Sequence, residues 1–170
     1  MELKIDKMIE RKKRLGKEQA LQKLKHFCGY QERCHAEAKE KLYSFGLYKQ
    51  EVEECISRLI EEEYLNEERF AIAYARGKFR MKGWGKIKIR HALKEKGVSD
   101  YCINKALKEI EMVQYEESLK KLATDKWNEL RAEKNIFNRM RKSHDFLLQK
   151  GYESNLIHQA IALLRKGCEE

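Results

Sequence analysis

HALKEKGVSDYCINKALKEI, residues 91–110, decides the fold. Its apolar positions end one helical run at Leu93. Gly97 can take the positive φ that closes a helix without Cβ strain, and Val98 folds back over the run just ended. Ser99-Asp100 then offer oxygens to cap free N–H groups, and Ile103, Ala106, Leu107 and Ile110 follow as one face of a new amphipathic helix.

The same grammar recurs around Gly46 and Gly151. Four residues before the three glycines stand Leu42, Leu93 and Leu147, and one residue after stand Leu47, Val98 and Tyr152. Six, nine, ten and thirteen residues after come Val52, Cys55, Ile56 and Leu59, then Ile103, Ala106, Leu107 and Ile110, then Ile157, Ala160, Ile161 and Leu164. Ser154-Asn155 are placed to cap the last of these helices. Each copy also needs a preceding helix, expected over 18–28 with Leu21, Leu24 and Phe27 or Cys28 inward. The second is expected over 67–79 with Phe70, Ala73 and Tyr74 inward. The third spans 114–131, with Leu119, Leu122 and Trp127 or Leu130. The expected architecture is all-α: a basic arm (1–17) and a tandem array of three three-helix bundles, 18–65, 66–111 and 112–167. Such a row is expected to be elongated and curved, because each unit meets only its neighbours.

Composition agrees. The 170 residues contain no proline and nine glycines, and 38% are charged, so each helix can spare only a narrow apolar stripe. A net charge of +9 suits an anionic partner. No apolar run reaches the length of a membrane span, and the basic N-terminus lacks the apolar segment of a signal peptide. A cytoplasmic protein that does not contact membranes is expected. No sustained heptad seam appears, so a monomer is expected. Five cysteines without a CxxC pair read as buried thiols; zinc through Cys28, Cys34 and His35 would lack a second ligand pair.

Charge is segregated. From Glu51 to Glu68 eight glutamates face one arginine, whereas Arg69 to Val98 hold ten Lys or Arg and one carboxylate. If Gly85–Lys96 is helical, Lys86, Arg90 and Lys94 form one cationic stripe, with Ile89 and Leu93 anchoring another face. Arg76, Lys78, Arg80 and Lys82 lead into it, and free N–H groups at Trp84-Gly85-Lys86 would add an anion-friendly helix start. Trp84 and Phe79 read as packing residues rather than nucleobase platforms. The acidic tract, Glu61-Glu62-Glu63 with Glu67-Glu68, reads as an internal balance to the basic surface, with contact to a basic partner as the alternative. Enzyme signals are absent. Gly77 and Gly83 are followed by Trp84 where a phosphate-cradling loop needs Lys, the five histidines include no ligand pair, and no catalytic triad or cofactor motif can be assembled.

The segment NEERFAIAYARGKFRMKGWGKIKIRHALKEKGV, 66–98, resembles the centre of the RecX family of RecA regulators. Glu67-Glu68 precede Arg69-Phe70-Ala71, Lys82-Gly83-Trp84-Gly85 match the central turn, and Ile89, Leu93 and Lys96-Gly97-Val98 match the helix and its cap. The sequence departs at Lys86, where the family often has proline, and in an Arg-Phe to Lys-Gly interval about one residue longer than in many members. The resemblance implies a non-enzymatic regulator, chiefly an inhibitor, of homologous recombination and repair. Such a protein lodges in the groove of a RecA–DNA filament on single- or double-stranded DNA and slows ATP hydrolysis and strand exchange. The alternative is a stand-alone DNA-binding module without sequence specificity. Its three-helix units would present Gly85–Lys96 or Ser99–Glu111 to the major groove, although the first has no Asn or Gln for adenine and the second sets Asp100, Glu109 and Glu111 against phosphate.

Overall fold

The computed structural model describes residues 14–166, so most of the basic arm 1–17 and Cys168 lie outside the described residues. Among these the structure is entirely helical: α1 (Lys17–Tyr30), α2 (His35–Ser44), α3 (Lys49–Glu61), α4 (Glu67–Lys82), α5 (Lys86–Glu95), α6 (Asp100–Lys108), α7 (Met112–Glu129), α8 (Ile136–Lys150) and α9 (Ser154–Lys166). None is long and apolar enough to cross a membrane. The chain divides into two compact units, one ending at Asn66 and the other beginning at Glu67. The first contains α1–α3 packed on one another; in the second, α4–α6 and α7–α9 each form a three-helix group.

The repeat pattern is the core. Of the eighteen apolar repeat positions named above, all are buried except Ala160 and Leu164, which are half-buried. Gly46, Gly97 and Gly151 have φ of 84°, 75° and 88°, the left-handed conformation that ends α2, α5 and α8. In the first unit Leu21, Leu24 and Cys28 meet Leu42, Val52, Cys55 and Leu59, while Phe27 packs at the edge. Burial raises the Cys28 thiol to about 11. Cys34, also buried, caps α2 by accepting the Glu37 N–H at 3.5 Å.

Two local expectations are corrected. In α4, Ala73 is exposed and Tyr74 half-buried; Phe70, Ala71, Ala75 and Phe79 point inward instead. Small residues at 71 and 75 let α4 lie closely against α6. Ser99 caps α6, accepting the Cys102 N–H at 3.4 Å, but Ser154 caps nothing comparable. Helix α9 starts at Ser154 itself, Ile157 N bonds to Glu153 O, and the Ser154 hydroxyl faces His144 Nε2 at 3.4 Å.

The acidic tract is largely paired inside its own unit. Glu51 meets Arg14 at 2.7 Å, Glu53 meets Lys39 at 2.8 Å, and Glu54 and Glu62 meet Lys17 and Lys25. In the second unit Glu68 holds Lys105 at 2.9 Å.

Candidate functional site

The KGWG turn, 82–85, joins α4 to α5 and docks on the C-terminal end of α8. Gly85 N–H donates to Lys150 O at 2.8 Å and Ile87 N–H to Gly151 O at 3.1 Å. Between them Lys86 N–H donates to the Tyr115 hydroxyl at 2.9 Å. The free donors of one helix start thus satisfy the free carbonyls of another helix end. Side chains interlock around them: Lys88 Nζ donates to Gln149 O at 3.0 Å and Lys150 Nζ to Lys82 O at 3.2 Å. The expected anion site at 84–86 is therefore corrected, because its N–H groups are spent inside the protein.

The turn needs its glycines for this approach. A Cβ on Gly85 would overlap the Gly151 carbonyl, and one on Gly151 would overlap Lys88. Gly83 takes φ of 61°, a short step from the Leu122 side chain. Beneath the turn lies an aromatic seam. Phe79, only 8% exposed, lies 5.9 Å from Tyr115, which lies 4.9 Å from Tyr152. The Tyr115 hydroxyl donates to Glu153 Oε2 at 2.7 Å, and burial with that bond raises its pKa. Trp84 is half-buried, with the ammonium groups of Lys78 and Lys88 5.1 and 4.9 Å from its ring centre. The two ammonium groups thus lie over the ring as cation–π partners.

The seven candidate cations fall into three sets. Lys86, Arg90 and Lys94 run along α5 as the spacing requires, with Ile89 and Leu93 buried on another face. Arg90 and Lys94 share one carboxylate, Asp100, at 4.0 and 3.1 Å, while the Lys86 ammonium lies 4.9 Å from the centre of the Tyr115 ring. Lys86 and Arg90 also line a shallow depression of about 380 Å³ with Lys108 and Glu153. Arg76 and Arg80 lie on one flank of α4, four residues apart, where Arg76 is held by Glu109 at 2.6 Å. Lys78 and Lys82 lie on the other flank, with Lys78 over the Trp84 ring and Lys82 exposed. Two residues of helix turn α4 by about 200°, so these four cations cannot form one row.

Sequence reasoning missed Lys88, Tyr115, Lys150 and Glu153, which build the dock, and Asp100, which moderates the stripe. Asp100 looked like a cap residue, and only the turn at Gly97 brings it back beside Lys94. The other family-motif residues have structural places too. Phe70 is in the core, Glu67 accepts the Ser99 N–H at 2.6 Å, and Gly97 closes α5. The dock also covers the α5 N-terminus, the end that recognition helices point at bases. Among the described residues no three His, Cys, Asp or Glu side chains group as a metal site.

Two family patterns match the second unit: "RecX, second three-helix domain" over residues 66–107 and "RecX, third three-helix domain" over 114–161. The "Regulatory protein RecX" of Thermotoga maritima is 31% identical over 169 residues, covering 94% of this chain and 96% of that protein. Its namesake in Clostridium perfringens is 31% identical over 129 residues, covering 75% of this chain and 60% of the relative. The chain spans 60% of that relative and 50% of the one from Oceanobacillus iheyensis. In shape, the crystal structure of RecX from Lactobacillus salivarius matches with a TM-score of 0.77 at 24% identity, over 88% of this chain and 96% of that one. The pattern matches and the near full-length Thermotoga relative show that this chain belongs to the RecX family.

Proposed function

We propose that the chain is a non-enzymatic regulator, chiefly an inhibitor, of the RecA recombinase in the cytoplasm. It binds in the groove of the RecA–DNA filament as a monomer, without cofactor, and slows ATP hydrolysis and strand exchange. One observation carries this reading: the stretch that holds the family pattern also holds the chain's surplus of positive charge, +9 between Arg69 and Val98. The relatives' printed name, regulatory protein, supports the regulatory role. The units 18–65, 66–111 and 112–167 act as its domains.

The α5 stripe, Lys86, Arg90 and Lys94, makes the principal contact, flanked by Arg76, Lys78, Arg80 and Lys82. Asp100 does not silence it. An exposed ion pair is worth about 0–1 kcal/mol, so phosphates or a carboxylate-lined groove displace Asp100 at small cost. Arg69, Phe70, Gly83, Trp84, Gly85 and Gly97 shape the helix pair that presents the stripe.

Binding to RecA alone, to DNA alone and to the assembled filament tests the proposal. A filament regulator binds the complex more tightly than either component, and reversal of Lys86, Arg90 and Lys94 to Glu abolishes that binding with helicity intact. Equal affinity for bare DNA and filament would favour the stand-alone DNA-binding module. Unchanged filament binding by the reversed variant would remove the stripe from the site.

A further inference from the structure

A second charged surface lies far from the α5 stripe in sequence, at the tip where α7 turns into α8. Residues 131–142, RAEKNIFNRMRK, hold five Lys or Arg and one carboxylate. The tip is built rather than loose. Asn135 caps α8, accepting the Phe137 and Asn138 N–H groups at 3.0 and 3.2 Å. Glu133 binds Lys142 at 2.6 Å, and Arg139 closes α7 by donating from Nε and a terminal nitrogen to Trp127 O at 3.0 and 2.6 Å. Those contacts account for Lys142 and Arg139. Arg131, Lys134 and Arg141 remain exposed, and their side chains serve none of these contacts.

Among these cations stands Phe137, 71% exposed. It sits in the first turn of α8, one helical turn before Arg141 and on the same face. Ring and guanidinium thus project side by side from a capped helix start. Burial does not explain the ring: the inward residues of α8 are Ser143 and Leu147, farther along. Ile136 and Met140 beside it on α8 are half-buried, whereas Lys134, Asn135 and Arg141, the exposed residues closest to it in sequence, are polar. A flat ring flanked by cations instead fits a base with its phosphates on either side. In duplex DNA the base faces are stacked away, so the matching chemistry is a single strand.

We propose that the α7–α8 tip is a single-strand nucleic-acid contact, with Phe137 stacking on a base and Arg131, Lys134 and Arg141 meeting the flanking phosphates. It differs from the α5 stripe in location and in its use of an aromatic face. It does not rest on the filament reading, and its primary readout is binding to bare nucleic acid.

The test measures anisotropy of fluorescent oligothymidylate and of a labelled hairpin duplex with the full chain. Phe137→Ala is expected to weaken single-strand binding by roughly 5- to 100-fold, leave duplex binding unchanged, and keep the parent's helicity and melting temperature. Phe137→Trp should restore affinity; Phe137→Leu, apolar but without a ring, should not. Replacing Arg131, Lys134 and Arg141 with Ala should flatten the log–log salt slope by about 2. Full affinity in Phe137→Ala, or equal rescue by Leu and Trp, overturns the proposal. So does single-strand affinity that survives in Phe137→Ala while binding to purified RecA protein is lost, which would assign the tip to a protein partner.

Discussion

At Gly85 a single methyl group separates a docked turn from a broken one. It would press on the Gly151 carbonyl, an atom fixed by its own hydrogen bond to Ile87 N. Gly85→Ala is therefore expected to cost about 1–3 kcal/mol, read as a lower thermal midpoint. Gly77 in α4 has nothing within reach of a Cβ, and Gly77→Ala should stabilise by about 0.5–1 kcal/mol. Equal effects at the two glycines would contradict the dock. Tyr115 tests it from the other side. Phenylalanine keeps the ring against Phe79 and Tyr152 but leaves the Lys86 N–H without its partner, a loss of about 1–3 kcal/mol. Hydrogen exchange at the Lys86 amide should accelerate in Tyr115→Phe while the α1–α3 amides stay unchanged.

Helix α5 shows how three charges can be legible and their neighbour not. Spacing placed Lys86, Arg90 and Lys94 on one side and Ile89 and Leu93 on another, because helical period alone fixes that relation. Asp100 belongs to the next helix, and its approach depends on the left-handed turn at Gly97. Asp100→Asn removes the competing carboxylate. It is expected to tighten polyanion binding and steepen its salt dependence, measured by anisotropy from low to moderate salt. The α7–α8 tip gives a pH test. Lys142 bonded to Glu133 holds its carboxyl below the usual glutamate value of 4.5. Because the folded value is lowered, this stabilisation is present above 4.5 and lost as pH falls through the folded value. Relative to a Glu133→Gln variant, exchange protection over 131–142 should hold from pH 7 to 5 and fall as pH drops below 4.5.

Across the molecule, the repeat was legible because each copy spells out its own helix end, turn and apolar face. Sixteen of its eighteen apolar positions are buried, and the two half-buried ones, Ala160 and Leu164, lie in the last helix. The role of KGWG was not legible as chemistry. Its partners Gln149, Lys150 and Gly151 come more than sixty residues later, and no local periodicity predicts a helix start seated on a distant helix end. The motif's tryptophan and glycines thus serve a joint within the second unit, and the outward cations of α5 are left to meet a partner. Whether that partner is the RecA filament is tested most directly by RecA's single-strand-dependent ATPase, titrated with this protein far below one copy per DNA-binding site. Inhibition at that ratio is the predicted result. Inhibition only when the protein is abundant enough to coat the DNA would contradict it and leave simple competition for the strand.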